Sequence, residues 1–270
     1  MRKAAARASG RGAATRSSRP RGAAAGAAAM ASAAAGAKAK PRKIKVKPKT
    51  KARKPRKVDD QAVAAIVRTL HELYPDAQTA LLHENPLQLL LATILSAQST
   101  DETVNQVTRT LFEKYRTVDD FAAADPAVFE MDIRPTGFFR NKTKSVLGTA
   151  KRLRDVYGGE VPRTMDELLT LPGVARKTAN VVLGSAFGIA VGVVVDTHVR
   201  RLSYRLGLSL NDDPVKIEQD LIRRIPHEEW IFLSHGLILH GRAICQARKP
   251  FCSRCPLAQW CPRNGVTVAA

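Results

Sequence analysis

The sequence predicts an all-α fold, and three observations carry that prediction. Apolar residues recur at helical spacing from Asp59 onward, short polar breaks separate the periodic runs, and no segment alternates with a strand's period of two. In chain order the runs are Asp60–Tyr74, Pro86–Ala97 and Asp101–Tyr115, the last opened by a possible capping box, Ser99-x-x-Glu102. Two short runs follow, Val118–Ala123 and Pro126–Ile133, and then a longer one, Asn141–Tyr157. Met165–Leu171 has its own capping box in Thr164-x-x-Glu167, and Ala175–Ala186 follows after a tight turn. Thr197–Leu206, Pro214–Ile225 and Glu228–His240 complete the series, with Pro214 after Asp213 suited to a first helical turn.

At 270 residues and 44% hydrophobic content, the chain can build one large domain or two small ones around an ordinary core. Its 44 Lys and Arg outnumber 24 Asp and Glu, giving +20 and a pI near 10.4, which points to a polyanion as partner. Nearly all of the excess lies in residues 1–58, which hold 19 basic residues and no acidic one. That stretch is mostly Ala, Gly, Arg, Lys, Pro and Ser, so it lacks an apolar face and is expected to be disordered. Two functions remain open for it: an electrostatic arm that holds DNA without reading sequence, or a targeting extension of the Arg-rich, acid-poor kind. No run of 18 or more uncharged apolar residues is present and no secretory signal opens the chain, so no membrane partner is expected.

The segment Leu168–Leu183 reads as a helix, the turn Leu171-Pro-Gly-Val-Ala175, and a second helix opening with Arg176-Lys177-Thr178. Unpaired backbone N–H groups and the positive end of the dipole at that second helix make an anion site, for which a DNA phosphate is the natural occupant. A plain helix–turn–helix connection is the alternative. Lys177 stands in the first turn, where the dipole and neighbouring Arg176 disfavour a cation. A lysine nucleophile needs that environment, because some of its amine must be neutral; a simple phosphate contact is the other reading. Downstream, Val193-Val-Val195 ends in Asp196-Thr-His-Val-Arg200-Arg201. Asp196 is placed to cap the next helix, and a carboxylate at a buried helix mouth also suits glycosidic-bond chemistry. Arg200 and Arg201 either bind phosphate or solvate the helix's outer face.

All four cysteines fall in Cys245-x6-Cys252-x2-Cys255-x5-Cys261. They are too local to staple a fold of this size, and they indicate a metal centre in a reducing compartment. Thiolate ligation alone permits tetrahedral zinc or a [4Fe–4S] cluster. Arg248-Lys249-Pro250 forms a basic loop between the first two.

Leu171-Pro-Gly-Val-Ala-Arg-Lys-Thr-Ala-Asn-Val-Val-Leu183, Val195-Asp-Thr-His198 and the four-cysteine spacing together closely resemble the endonuclease III family of helix-hairpin-helix DNA glycosylases. The resemblance runs from about Asp59 to Pro262 and includes Leu95-Ser-Ala-Gln-Ser-Thr-Asp101 and Gly137-Phe-Phe-Arg-Asn-Lys142. It implies two helical domains flanking a DNA-binding cleft: a six-helix barrel over 79–189 with the hairpin, and a discontinuous iron–sulfur domain made of 59–78 and 190–270. It further implies a base excision repair enzyme acting on double-stranded DNA that contains damaged pyrimidines or abasic sites. In that role Lys177 attacks C1′ and Asp196 is the catalytic carboxylate. Gln98 fills the gap left by the flipped nucleotide and Phe138 wedges against the opposite strand. Gly173, Val174, Ala175, Arg176 and Arg200 contact DNA, while Cys245, Cys252, Cys255 and Cys261 hold a [4Fe–4S] cluster. A monomer in the bacterial cytoplasm is expected, or an organelle or nuclear protein if the tail is a targeting segment.

Two features depart from the family's pattern. Ala175 stands where a second glycine is usual, which weakens phosphate approach if that position needs a positive φ, and the basic tail lies outside the common core. Two rival functions fit part of the sequence. A monofunctional adenine glycosylase lacks the lysine and bears a further C-terminal domain, whereas here Lys177 is present and nine residues follow Cys261. A non-enzymatic, zinc-stabilised DNA-binding protein explains the charge and the cysteines but gives no reason for pairing Lys177 with Asp196.

Overall fold

The computed structural model describes residues 54–270, and within them the chain is helical with no strand. The proposed disordered tail therefore lies outside the described residues as far as residue 53. Eleven α-helices are described: α1 Asp60–Leu73, α2 Pro86–Leu95, α3 Asp101–Lys114, α4 Val118–Ala123, α5 Pro126–Asp132, α6 Phe139–Tyr157, α7 Met165–Leu168, α8 Arg176–Phe187, α9 Thr197–Leu206, α10 Pro214–Arg224 and α11 Trp230–Ala243.

Short polar side chains start most of these helices by accepting a first-turn N–H that the helix itself leaves unpaired. Asp59 accepts from Ala62 N at 2.8 Å to begin α1, and Asn85 accepts from Gln88 N at 3.0 Å with Pro86 just inside α2. Asp213 with Pro214 starts α10 as expected. The capping box expected at Ser99 and Glu102 does not form. The helix starts one residue later than that box requires, and Thr100 caps α3 by accepting from Thr103 N. A complete box stands instead at α4, between Thr117 and Asp120. At α7, Glu167 N donates to Thr164, but the Thr164 hydroxyl donates to the Glu167 carboxylate at 2.6 Å rather than leaving that carboxylate to the backbone.

Two hydrophobic cores organise the helices. The first runs from Leu81 to Leu183 and draws on α2 to α8. Its centre is α2, which is apolar almost all round, and Leu89, Leu90, Leu91 and Leu95 are fully enclosed. Tyr115, Phe121 and Phe129 pack beside it with ring centroids 5.3–6.2 Å apart. The second core combines Val63–Leu70 of α1 with Val193–Leu257, so the first helix of the described residues packs with the last, α11. Burying each large side chain in these cores is worth about 1.5–3 kcal/mol.

The helix α8 carries most of the polar ties between the two sets of elements. Arg176 grips the buried Glu218 of α10 through two hydrogen bonds of 3.1 Å, and Asn180 Nδ2 donates to the same carboxylate at 3.2 Å. Ser185 and His235 share a hydrogen bond at 3.2 Å. None of the described helices is long and apolar enough to cross a membrane.

Candidate active site

The hairpin ahead of α8 is shaped by one glycine. Gly173 has φ +78°, and a Cβ placed there would lie 2.6 Å from Ser145 Cβ, so both the backbone twist and the close approach to α6 demand its missing side chain. Val174 N donates to Leu171 O at 3.1 Å to close the turn, and Thr149 holds the Pro172 carbonyl at 2.8 Å. Ala175 is the residue before α8 with φ −102° and ψ 170°. That is ordinary extended backbone, so this position has no need of glycine and the alanine brings no conformational penalty. No side chain caps α8. Its first N–H groups are therefore left for solvent or an anion.

Lys177 is exposed in that first turn and makes no ion pair among the described residues. Asp196 sits before α9 and accepts from Val199 N at 2.8 Å, so it does cap the helix. Lys177 and Asp196 line one pocket, open to solvent, with contributions from both cores. Ser96 and Asp101 reach it from one side, and His235 and Arg242 from the other. Ser96 and Asp101 belong to the Leu95–Asp101 motif without having been singled out in it, whereas no motif marked His235 or Arg242, which reach the pocket only through folding. Burial holds His235 below its usual pKa, against the opposing pull of Asp196.

Gln98 and Phe138 share an unusual backbone. Both lie in the left-handed region, at φ 53° and 47°, and Phe138 is 63% exposed despite its ring. A third such residue, Arg263, donates its N–H to Cys261 Sγ at 3.4 Å. The loop before Phe138 is held from beneath by Lys142, whose buried ammonium donates to Thr136 O at 2.7 Å and whose pKa burial pulls down. Among the remaining expected DNA contacts, Val174 turns its side chain into the core and spends its N–H on closing the turn. Arg176 is engaged with Glu218, and Arg200 with Asp212 at 2.5 Å. Arg201 does not face outward. It donates to Gly241 O at 3.0 Å and Cys245 O at 3.2 Å.

The four cysteines follow α11 and stand round a single small cavity, beside Arg205, His240 and Phe251. Among the described residues no three His, Cys, Asp or Glu side chains converge as one bound ion would require. Arg205, itself buried, ties this loop down by donating to Gln246 O and Ala247 O at 2.7 Å, and its Nη1 reaches Cys245 Sγ at 3.4 Å. Burial raises the pKa of Cys255 and pushes Cys261 up to about 11.

Residues 91–227 match the model of the HhH-GPD superfamily base excision DNA repair protein. The endonuclease III of Synechocystis sp. is 54% identical over 202 residues, covering 75% of this chain and 92% of that protein. Two solved structures, a non-covalent endonuclease III–DNA complex and a trapped endonuclease III–DNA covalent intermediate, each share 45% identity and superpose with a TM-score of 0.73. Each match covers 77% of this chain and 97% of the other. The hairpin, the cysteine loop and these likenesses together identify the chain as a member of the endonuclease III family, the helix-hairpin-helix DNA glycosylases with abasic-site lyase activity.

Proposed function

We propose that this enzyme releases oxidised or otherwise damaged pyrimidines from duplex DNA and cleaves the strand through a Schiff base on Lys177. The observation that carries this reading is that Lys177, from α8, and Asp196, ahead of α9, line the same pocket. In the reaction the neutral amine of Lys177 attacks C1′ of the flipped nucleotide and the bond to the base breaks, the leaving base taking a proton. The sugar ring then opens to a protonated imine on the Lys177 nitrogen. Loss of a proton from C2′ expels the 3′ phosphate by β-elimination. The carboxylate of Asp196 stabilises the positive charge that develops on the sugar and its imine.

In the same reading, the uncapped start of α8 receives a backbone phosphate, with Gly173 and Ala175 offering close approach. Gln98 and Phe138 enter the duplex around the extruded nucleotide. Their left-handed backbones cost about 1–2 kcal/mol each, and such cost is tolerated where a loop must present a side chain outward. The 79–189 barrel and the discontinuous 59–78 and 190–270 domain are read as the two walls of the DNA cleft, consistent with the two hydrophobic cores.

The four cysteines suit a [4Fe–4S] cluster. They surround a cavity rather than one point, and thiols whose pKa values burial raises are ionised far more readily beside a bound cationic centre. Held by Cys245, Cys252, Cys255 and Cys261, the cluster would act as a structural staple for the loop carrying Arg248 and Lys249.

Asp196→Asn tests the assignment of the carboxylate. Asparagine caps a helix as well as aspartate does, so the fold and melting temperature should be retained. Base release in single turnover is expected to fall by roughly 100-fold or more. A variant that releases base at the normal rate reduces Asp196 to a helix cap.

A further inference from the structure

Across the pocket that holds Lys177 and Asp196, one ion pair stands apart from the other polar ties. Arg242 Nη2 donates to Asp101 Oδ2 at 2.6 Å, joining the end of α11 to the first residue of α3. Every other hydrogen bond described between the barrel elements and the cysteine-bearing elements starts on α8, at Arg176, Asn180 or Ser185. Asp101 and Arg242 both line the pocket. Asp101 comes three residues after Gln98, and Arg242 three residues before Cys245.

Each residue alone has an ordinary explanation. An aspartate in a first helical turn is favoured by the dipole, and an arginine in a last turn likewise. Neither explanation requires the two to meet. The pair is partly exposed, with side-chain exposures of 45% for Arg242 and 26% for Asp101, so it contributes little to global stability. Its directional content is larger, because the planar guanidinium fixes orientation as well as distance.

We infer that the Asp101–Arg242 pair is a latch that sets the spacing of the catalytic pocket. It holds the Gln98 loop and the Lys177 side against the Asp196 side while DNA is engaged. The inference rests on reading Lys177 and Asp196 as the reacting pair. Asp101 and Arg242 are positioning residues, acting through the alignment of groups on the two walls. A small misalignment of a nucleophile and its carboxylate costs rate steeply, and α8 alone ties only one edge of the pocket.

The test is single-turnover base release from a duplex carrying one oxidised pyrimidine, measured for holoenzyme with saturating protein. Asp101→Asn and Arg242→Gln are each expected to slow the step roughly tenfold. The double variant is expected to be no slower than either single one. Exchanging the charges, Asp101→Arg with Arg242→Asp, should recover most of the lost rate, a rescue that loss of an unpaired residue does not permit. Melting temperatures within a few degrees of the parent separate this from unfolding. Losses that add in the double variant, a loss confined to Asp101→Asn, or rates within twofold throughout overturn the latch. Borohydride trapping of the unaltered enzyme is run alongside: absence of an adduct there refutes the Lys177 assignment itself, independently of the latch.

Discussion

Gln98 and Phe138 show most directly what a single residue would give up for the task proposed for it. Each occupies a backbone region that glycine tolerates and that a side chain makes costly. Gln98→Gly and Phe138→Gly should therefore each raise unfolding free energy by up to about 1 kcal/mol, while lowering base release from damaged duplex. Urea denaturation read beside single-turnover kinetics checks both signs, and glycine variants that destabilise the fold while keeping full activity would remove these residues from the DNA-engaging role. Sequence marks the two residues only through motif resemblance, because neither glutamine nor phenylalanine advertises a positive φ. Lys177, Asp196 and the cysteines stand out more: each has a residue type that suits the chemistry proposed for it, at an informative spacing. His235 and Arg242 carry no such mark, since α11 brings them to the pocket from a stretch more than 130 residues from the Gln98 motif.

At the scale of elements, the hairpin before α8 depends on Gly173. Gly173→Ala must hold φ near +78° and place a methyl 2.6 Å from Ser145 Cβ, so a loss of about 1–3 kcal/mol is expected. Adding Ser145→Gly removes the overlap but leaves the twist, and should restore part of the loss. A Gly173→Ala protein that melts like the parent contradicts this account of the turn. The helices themselves were legible nearly to their ends. Val118–Ala123 and Thr197–Leu206 have the bounds expected from periodicity, because a cap or a stop residue stands beside each run. Where expectation and structure part, local competition explains it. Adjacent Ser99 and Thr100 both offer a cap, and the left-handed turn at Gln98 leaves the role to Thr100. Arg201 looked like a solvent-facing or phosphate-binding residue in the motif, yet it turns inward to carbonyls of α11 and the cysteine loop, a partner that lies 40 residues away. Ala175, a departure from the family's usual glycine, costs nothing because its φ is negative.

For the whole molecule, charge and half-buried histidines set the response to conditions. Residues 59–270 hold 25 basic and 24 acidic residues, so the catalytic body is nearly neutral and attraction to DNA must come from local placement or from the tail. Burial holds His235 and His198 below their ordinary value of 6.5. The unfolded chain thus takes up protons near pH 6.5 that the folded chain resists, and stability is full above that pH and falls as pH drops through the lower folded values. Unfolding midpoints in urea should decline from pH 7 toward pH 5, and His235→Gln should flatten the decline. An unchanged slope would mean that His235 is protonated as readily folded as unfolded.

Borohydride trapping on duplex DNA with a single oxidised pyrimidine, comparing the protein with Lys177→Ala, tests the central claim most directly. A covalent protein–DNA adduct that forms with the parent and is absent from Lys177→Ala is the predicted result. An adduct of undiminished yield from Lys177→Ala, or base release by the parent with no adduct at all, would contradict the assignment of Lys177 as the nucleophile.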